Sequence, residues 1–570
     1  MERPNDRPAT PSSLRQDDDH QSKQSPPLTK TDDNLPPTTT TQPIDEKTDA
    51  VSTKQDVADD EYPSGIKLVA IVVALILAIF LASLDMTIVA TAIPKITDEF
   101  GGLQDVSWYG AAFFMANGGL QSSWGKAYKY FPLKWTFIAA VFVFEVGSLV
   151  CGAAPTSTAL IIGRALAGVG AAGLGTGAYT IIAFAAPPNK RAMYTGFVGM
   201  SYGIASVCGP LLGGVFSDYS TWRWCFYMNL PVGAITVIII LLFFHAPAAA
   251  KPVEATWTEK FLQMDPVGVA LVMAAIVTYI LAFQYAGHDA PWNSGLVIGL
   301  IVAFSVLYIV FGVWEYFQGD RAMLVPRLLK GRPVWVSCAY AFFFSGGYFL
   351  TIYYLPIYFQ SVKGVSPTMS GVRNLPLILG VTVAMILSGF FVSATGIAAP
   401  LKVGGAAVAT IATGLIFTFD ADTSTGEWIG YQLLAGIGWG VSYQLPIIVA
   451  QSSADPADVS TVTAMVLFFM NLGGSSFISA GQAAFVNTLL GRLPTTAPGV
   501  DPLDVVTTGA TDIRSVFSAD QVPGILEAYM DGIKMALVLP IAATGLAFVM
   551  SVFSKWQKLP SSATKEAVAV

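Results

Sequence analysis

The sequence predicts an all-α polytopic membrane protein with fourteen transmembrane helices. Hydrophobic residues make up 53% of the 570 residues, charged residues only 12%, and the mean hydropathy is +0.58, outside the range of soluble globular domains. The apolar residues fall into fourteen segments of about 20 residues, the length that a helix needs to cross about 30 Å of hydrocarbon. The first segment begins near residue 68 and has no cleavage-like site after it, so we expect a retained span and not a secretory signal.

The N-terminal tail, residues 1–65, is polar and acidic. Residues 1–63 hold 14 of the 38 acidic and 7 of the 31 basic residues, which leaves 24 of each sign for the rest of the chain. The net charge of −7 therefore comes entirely from the tail. The tail has too few apolar residues to offset the entropy of ordering, so we expect a disordered cytoplasmic leader, with regulation by phosphorylation or turnover as the alternative.

The spans are arranged as two halves around an extra pair. Residues 66–245 carry spans 1 to 6, residues 246–333 carry spans 7 and 8 between polar flanks, and residues 334–555 carry spans 9 to 14. Two six-helix bundles with two extra central helices are expected, because parallel halves are a common transporter plan. Residues 556–570 form a cytoplasmic C-terminal tail. The spans lie near 68–92, 106–125, 135–153, 158–184, 193–216, 223–245, 266–286, 295–315, 334–356, 370–393, 399–419, 428–450, 460–486 and 533–554.

Loop charges predict the orientation. An even number of spans places both termini on one side, and with cytoplasmic termini the inner loops carry twelve Lys and Arg residues, Lys402 among them, against five in the outer loops. The positive-inside rule therefore favours cytoplasmic termini. The one long loop, about 487–532, then faces outward or into a lumen.

Three ionisable residues lie deep within the predicted spans: Asp85, Glu145 and Arg164. Each is roughly 9–12 Å below the outer surface at 1.5 Å per residue. A charge near mid-membrane is costly and rarely kept without a task, and an arginine beside a carboxylate sets how readily the acid takes up a proton. Proton coupling is one reading, and an ion pair that only fixes helix packing is the other. Glu315 and Arg373 lie close enough to an interface to snorkel.

Small residues mark two spans. Gly168, Gly170 and Gly173 fit the GxGxxG pattern of dinucleotide sites, but they lie inside an apolar span without a preceding strand, so close helix contact explains them better. Span 5 combines small residues with a proline that removes a backbone donor and bends the helix, which suits a rocking interface. Its members are Gly199, Gly203, Gly209, Pro210, Gly213 and Gly214.

Aromatic and amide side chains recur in the spans and define a candidate substrate pathway for an amphipathic organic ligand. The alternative for each residue is ordinary interhelical hydrogen bonding or interface anchoring. The candidates are Asn117, Tyr340, Tyr348, Tyr354, Gln432, Gln444 and Asn471. The four cysteines lack metal-ligand spacing, and no Ser/His pair, Asp dyad or metal cluster is apparent within the spans, so neither a metal site nor an enzyme is expected.

Several of these segments together resemble the major facilitator superfamily, and within it the fourteen-span drug:proton antiporter branch of fungi. Residues 84–94 resemble its span 1 signature, Arg164 with Gly168 and Gly170 its span 4 motif, and the span 5 set its antiporter motif. Residues 222–231 and 354–372 are similar to the regions that open span 6 and join spans 9 and 10. The loop after span 2 begins Gly125-Lys126 as the superfamily motif does, but Lys129 and Tyr130 stand where that motif usually has Asp and Arg, so no gating role is carried onto Lys129.

The resemblance implies the major facilitator fold and alternating access, with outward export of toxic secondary metabolites or drugs driven by inward proton flow. Within it Asp85 is the expected proton carrier, Arg164 its partner and Glu145 a second candidate. The expected partners are the lipid bilayer, a small organic substrate and protons, with no cofactor and no nucleic acid. We expect a monomer in the plasma membrane, with a vacuolar or other internal membrane as the alternative.

Two rivals to drug export remain. A vacuolar importer of basic amino acids or a siderophore carrier would share the fold, but a cationic substrate favours several buried acids and only Asp85 and Glu145 are visible. A transporter-like receptor or scaffold would tolerate loss of Asp85, whereas an antiporter would not.

Overall fold

Fourteen long helices form the described part of the protein. The computed structural model describes residues 63–100, 106–247, 250–287, 290–508 and 513–559. The predicted disordered tail therefore lies almost wholly outside the described residues. In chain order the helices are α1 (Gly65–Phe100), α2 (Val106–Tyr130), α3 (Leu133–Gly152), α4 (Ser157–Ala185), α5 (Arg191–Tyr219), α6 (Asn229–Phe243), α7 (Pro266–Tyr285), α8 (Gly295–Gln318), α9 (Arg332–Ser361), α10 (Leu375–Thr395), α11 (Ala399–Phe417), α12 (Thr425–Ser442), α13 (Val459–Thr496) and α14 (Val522–Val552).

Each predicted span coincides with one of these helices. Short helices accompany several of them: Trp224–Tyr227 before α6, Trp257–Gln263 before α7, Pro367–Arg373 before α10 and Leu445–Ser452 after α12. Thirteen helical stretches in the described ranges are long and apolar enough to cross a membrane. The remaining helix, α2, has 25 residues but is more polar, because much of its surface faces other helices and not lipid.

Several helices begin at a side chain that accepts a hydrogen bond from a free backbone N–H group of the first turn. Thr156 accepts from the Ala159 amide before α4, and Ser294 accepts from the Val297 amide before α8. Asp265 caps α7, followed by Pro266 at the first helical position, where proline is favoured. Asp265 has a φ of +47°, a left-handed conformation that non-glycine residues rarely adopt.

The helices pack as two six-helix bundles. In the first bundle α3 packs against α4, α1 against α5 and α6, and α2 against α4. In the second, α9 packs against α13 and α14, and α12 against α10 and α11. The bundles meet along two seams, α2 with α13 and α5 with α10. The extra helix α7 packs against α2 and α13, and α8 packs against α7, so the pair lies outside one seam.

The helices run between two opposite faces of the protein. The terminal face is the side at which α1 begins and α14 ends, and the distal face is the opposite side. The connection from α13 to α14 lies on the distal face and is shorter than the predicted loop 487–532, because α13 continues to Thr496 and α14 begins at Val522. An ion pair between Arg492 and Asp531 at 2.8 Å joins the two extensions. Both helices continue as polar turns beyond their apolar segments, and hydropathy alone did not predict these turns.

Two charged residues near the terminal face are buried, contrary to the sequence-based expectation. Glu315 does not snorkel to solvent: it is 5% exposed and accepts a 2.7 Å hydrogen bond from the Leu324 amide, because the chain after α8 folds back over it. Lys402 lies within α11, not in a loop, and its ammonium is 4.5 Å from the ring centroid of Tyr340. On the distal side, Arg373 lies over the rings of Phe359 and Trp428.

The glycines of α4 make the close helix contacts that their spacing predicts. A Cβ atom at Gly168 would meet the Phe113 carbonyl of α2, and one at Gly170 would meet the Phe144 backbone of α3. Gly173 lies against Trp124 of α2. The interpretation of these glycines as close helix contacts is confirmed.

Gly170→Leu is expected to destabilise the protein by about 1–3 kcal/mol or more, because added side-chain volume against backbone forces α3 and α4 apart. The thermal unfolding midpoint of the detergent-purified protein measures the effect. Gly404→Leu in α11 is the matched control, since a Cβ there meets nothing within 4 Å. Equal midpoints for the two variants would contradict this account of α4.

Candidate functional site

A buried ion pair joins α1 and α4. Arg164 Nη1 donates to Asp85 Oδ2, and the side chains of both residues are at most 1% exposed. Arg164 Nη2 also donates to the Asp85 carbonyl at 3.3 Å, and Nε donates to the Tyr109 carbonyl of α2 at 2.8 Å. The pairing that equal depth permitted is therefore made, with the guanidinium bonded to three separate acceptors.

Aromatic rings cover the ion pair. The guanidinium carbon of Arg164 lies 4.5 Å from the ring centroid of Phe113 and 5.9 Å from that of Phe226. Rings at these distances attract the cation and exclude water, which strengthens the interaction between the two charges.

Asn229 donates a hydrogen bond to the second carboxylate oxygen of Asp85. At the start of α6, its Nδ2 donates to Asp85 Oδ1 at 3.3 Å and to Ser148 Oγ of α3 at 3.0 Å. Asp85, Arg164, Asn229 and Ser148 form what we call the charge centre. Sequence reasoning did not select Asn229 or Ser148, although Asn229 lies in the segment 222–231 that resembles the family.

The start of α6 ties the charge centre to the distal end of the first bundle. Phe226 covers Arg164, and three residues further Asn229 binds Asp85. Trp222 Nε1 and Arg223 Nη1 each donate to Glu99 Oε2 at 2.8 Å. These two bonds, with that from Arg223 the stronger, hold the pKa of the Glu99 carboxyl below its ordinary value.

Glu145 lies apart from the ion pair, although the sequence predicts the same depth for it. Both of its carboxylate oxygens are buried, and neither has a hydrogen-bond partner in the part of the chain that the structure describes. Its carboxyl lies against Gly233 of α6, one helical turn beyond Asn229. Burial of a carboxyl group without a partner is costly, so Glu145 stays a second candidate for proton transfer.

A small cavity lies between the two bundles. Its volume is about 20 Å³, room for one or two water molecules but not for an organic substrate. Its walls come from six helices and from Tyr443 just after α12, and they are apolar, aromatic or amide in character, without a carboxylate, lysine or arginine. The lining residues are Ala82, Met86, Asn117, Gln121, Ala171, Gly175, Tyr179, Tyr202, Phe349, Tyr443, Leu467, Met470 and Asn471.

Amide side chains connect the bundles around this cavity. Asn471 of α13 donates to Gln121 Oε1 of α2 at 3.1 Å, and Gln121 donates to Thr176 Oγ1 of α4 at 2.6 Å. Gln444 donates to the Tyr179 hydroxyl at 3.0 Å. The bonds from Asn471 and Gln444 cross between the bundles, so they are broken when the bundles separate, without leaving a charge uncompensated.

The predicted pathway residues divide into two groups. Asn117 and Asn471 line the cavity, Gln444 bonds to a lining tyrosine, and the Tyr348 ring centroid lies 5.1 Å from that of the lining Tyr443.

Tyr340, Tyr354 and Gln432 do not line the cavity. Tyr340 stacks on Phe344, Tyr354 donates to Gln482, and Gln432 donates to the Arg373 carbonyl, so they serve the interior of the second bundle.

The polar side chains of Gln121, Tyr179 and Tyr202 also line the cavity, but they were not among the residues predicted from the sequence. Gln121 follows Asn117 by four residues, and Tyr179 follows Gly175 by four, so each pair shares a helix face. Gln121 could have been predicted from the sequence, because it lies one helical turn after the candidate Asn117.

The span 5 glycines fall in three environments. Gly199 lies against Met385 and Gln444, and Gly203 against Thr382, at the seam with the second bundle. Gly209 lies against Thr87 of α1, and a Cβ at Gly214 meets nothing within 4 Å. Gly213 is buried, and the side chain of Pro210 lies outside the described residues. The predicted rocking interface therefore involves Gly199 and Gly203 most directly.

An ion-pair network closes the terminal face. Lys129 at the end of α2 pairs with Asp458 before α13 at 2.7 Å. Arg327, from the segment between α8 and α9, pairs with Asp458 at 3.0 Å and with Asp320 at 3.2 Å. Lys126 donates to Gln263 Oε1 at 3.1 Å and to the Asp320 carbonyl. The first bundle, the extra pair and the second bundle are thus joined at one place.

Close backbone packing reinforces that closure. Gly125 of α2 lies against Ala464 and the Ser460 carbonyl of α13, and Gly389 of α10 lies against the Ala192 carbonyl of α5. Both seams are therefore shut on the terminal side of the cavity.

Two helical bundles around a central cavity, with a buried carboxylate–guanidinium pair in one bundle, define an integral multi-pass membrane protein of the transporter class. The profile of the Major Facilitator Superfamily matches residues 75–478. The chain is 53% identical over 527 residues to the MFS-type transporter grgE of a Penicillium species, covering 92% of this chain and 93% of that protein. It is 50% identical over 503 residues to the probable efflux pump gsfJ of Penicillium aethiopicum, covering 88% and 90%.

The chain belongs to the Major Facilitator Superfamily, and it is a transporter and not an enzyme. The human organic anion transporter MFSD10 shares the fold, with a TM-score of 0.55 at 13% identity, covering 86% of this chain and 100% of that structure. The family resemblance and the fold predicted from the sequence are confirmed.

Proposed function

We propose that the protein exports small organic molecules in exchange for protons, with Asp85 as the proton carrier. The observation that carries the proposal is the buried pair of Asp85 and Arg164. A membrane-embedded charge pair is costly, and neither residue is needed to close the seams between the bundles, so a functional role explains it better than packing. The efflux activity named for the relative gsfJ supports the outward direction.

The charge centre suggests how proton binding changes the bundle. Asp85 accepts hydrogen bonds on both oxygens, from Arg164 and Asn229, which suits an ionised carboxylate. A proton on Asp85 removes its charge and weakens the contact between α1 and α4. Release of the proton restores the pair, so the two protonation states favour different helix arrangements.

The cavity supports an uncharged or weakly polar substrate with aromatic surface. Its tyrosines and phenylalanine offer ring faces, and its amides offer hydrogen bonds to hydroxyl or carbonyl groups. A cationic amino acid or a charged siderophore would find no opposite charge on this lining. The arrangement therefore favours drug or metabolite export over those rivals.

For the living cell we propose cytoplasmic termini and the plasma membrane as the site of export. The terminal face then faces the cytoplasm, which agrees with the cluster of Lys126, Lys129 and Arg327 on that side. The structure then corresponds to a cytoplasm-closed state.

Reconstituted vesicles test the exchange. With an acidic interior, outward proton flow is expected to accumulate an uncharged probe, 1,8-dihydroxyanthraquinone, above its external concentration, and a protonophore is expected to abolish the accumulation. Protein-free liposomes with the same pH gradient and the same probe concentration give the background from partitioning of the probe into lipid. Equal probe levels with and without the pH gradient would show facilitated diffusion and refute proton exchange.

A further inference from the structure

The side-chain amide of Asn229 contacts Asp85 through its nitrogen only. Its Nδ2 donates to Asp85 Oδ1 and Ser148 Oγ, whereas its Oδ1 is buried without a hydrogen-bond partner among the described residues. The residue itself is fully buried. A buried amide oxygen without a partner is costly, so an arrangement that leaves one free invites a functional explanation.

We propose that Asn229 is a positioning residue that adapts to both protonation states of Asp85, donating to the ionised carboxylate and accepting from the protonated acid. The inference rests on the proposed role of Asp85 as proton carrier. It assigns the residue that sets the pH at which the exchange operates.

The amide group has the chemistry for this role. An ionised carboxylate only accepts hydrogen bonds, whereas a protonated one also needs an acceptor for its O–H. Rotation of the Asn229 amide by about 180° exchanges Nδ2 for Oδ1, which presents that acceptor. Ser148 can follow the rotation because a hydroxyl both donates and accepts.

Arg164 cannot take over this function, since a guanidinium has donors only. It can donate to either form of Asp85 but offers no acceptor for the O–H of the protonated form. Titratable groups also lie on the helices packed around Asp85, among them Glu145 and Cys151 on α3, Tyr109 on α2, and Tyr202 and Cys208 on α5. Asn229 is the donor at that oxygen.

Asn229→Leu tests the proposal, because leucine has a similar volume and no polar group. Leucine removes one hydrogen bond from each form of Asp85, and the bond to the ionised carboxylate is the stronger of the two, so the protonated form gains relative to the ionised form. The pH of half-maximal gradient-driven transport of 1,8-dihydroxyanthraquinone is expected to move upward by about one unit, which corresponds to the difference between a hydrogen bond to a charged group and one to a neutral group. Counterflow of the probe at equal pH on both sides, which needs no net proton transfer, is expected to persist.

Thr236→Val is the matched control. Thr236 is buried on the same helix, two turns beyond Asn229, and among the described residues its hydroxyl bonds only to the Val232 carbonyl of its own helix. The pH profile of this variant is expected to match wild type. Asn229→Ser provides a second, smaller polar variant in case the leucine variant does not fold, and the same upward shift is expected because the shorter side chain does not reach Asp85.

The outcomes separate the inference from the proposed function. A wild-type pH profile in a folded Asn229 variant, while Asp85→Asn has lost gradient-driven transport, overturns the role of Asn229 and leaves the function intact. Gradient-driven transport that survives Asp85→Asn overturns the proposed function itself.

Discussion

Asp85→Asn is expected to reduce pH-gradient-driven accumulation of 1,8-dihydroxyanthraquinone to the level of protein-free liposomes. Asparagine has nearly the same shape and can accept a hydrogen bond from Arg164, but it cannot bind or release a proton. The variant is expected to fold with reduced stability, because removing one partner of a buried ion pair costs about 3–5 kcal/mol. Arg164 keeps its bonds to the carbonyls of residue 85 and Tyr109, which limits that loss.

Two controls show whether the loss is specific to coupling. Probe counterflow at equal pH is expected to remain in Asp85→Asn, which shows that substrate still binds and crosses. Glu99→Gln makes the same acid-to-amide change at the distal end of the same helix, where the Glu99 side chain is 45% exposed, and is expected to transport as wild type does. Accumulation at the wild-type level by Asp85→Asn would rule out Asp85 as the proton carrier.

Counting along the sequence predicts how deep a charged residue lies in its span, but not which way its side chain points around the helix. Asp85, Glu145 and Arg164 were placed at one depth by counting 1.5 Å per residue from the span ends. That count says nothing about rotation around the helix axis, which is set by packing. Arg164 therefore pairs with Asp85, whereas Glu145 at the same depth lies against α6 with no partner among the described residues.

The polar residues of the cavity were harder to predict for a related reason. Asn117 and Asn471 were selected as amide side chains that could bind an amphipathic ligand, and they line the cavity. Tyr340 and Gln432 were selected on the same ground, as an aromatic and an amide side chain, but their hydroxyl and amide bond within the second bundle. Composition alone does not distinguish a polar group that faces a cavity from one that joins two helices.

Contacts between distant segments lay beyond the sequence altogether. Lys129 departs from the family motif, and nothing near it in the chain supplies an acidic partner. Asp458 is 329 residues away and reaches it only because α2 and α13 form a seam. In this ion pair the cation lies on α2 and the acid lies next to α13.

Asp458→Ala is expected to open the terminal face. Asp458 is buried and bonds to both Lys129 and Arg327, so its removal leaves two cations close together without an acid between them. Truncating one partner of a buried charge pair costs about 2–5 kcal/mol. The Lys129 side chain is 15% exposed, which favours the lower end. About 2 kcal/mol corresponds to a shift of roughly 30-fold in the equilibrium between the closed and open terminal face.

Labelling of a cavity residue measures that shift. Ala171→Cys places a thiol in the closed cavity, in a background with Cys208, the half-buried native cysteine, changed to serine. A membrane-impermeant maleimide applied from the terminal side is expected to react roughly 30-fold faster when Asp458→Ala is added.

Arg327→Ala is the matched control: the Arg327 side chain is 52% exposed, and exposed ion pairs contribute about 0–1 kcal/mol, so only a small acceleration is expected. Lys129→Ala combined with Asp458→Ala is expected to label no faster than Asp458→Ala alone, because both changes remove the same contact. Unchanged labelling in Asp458→Ala would mean that the seams close through helix packing alone and that the ion pairs follow the closure instead of stabilising it.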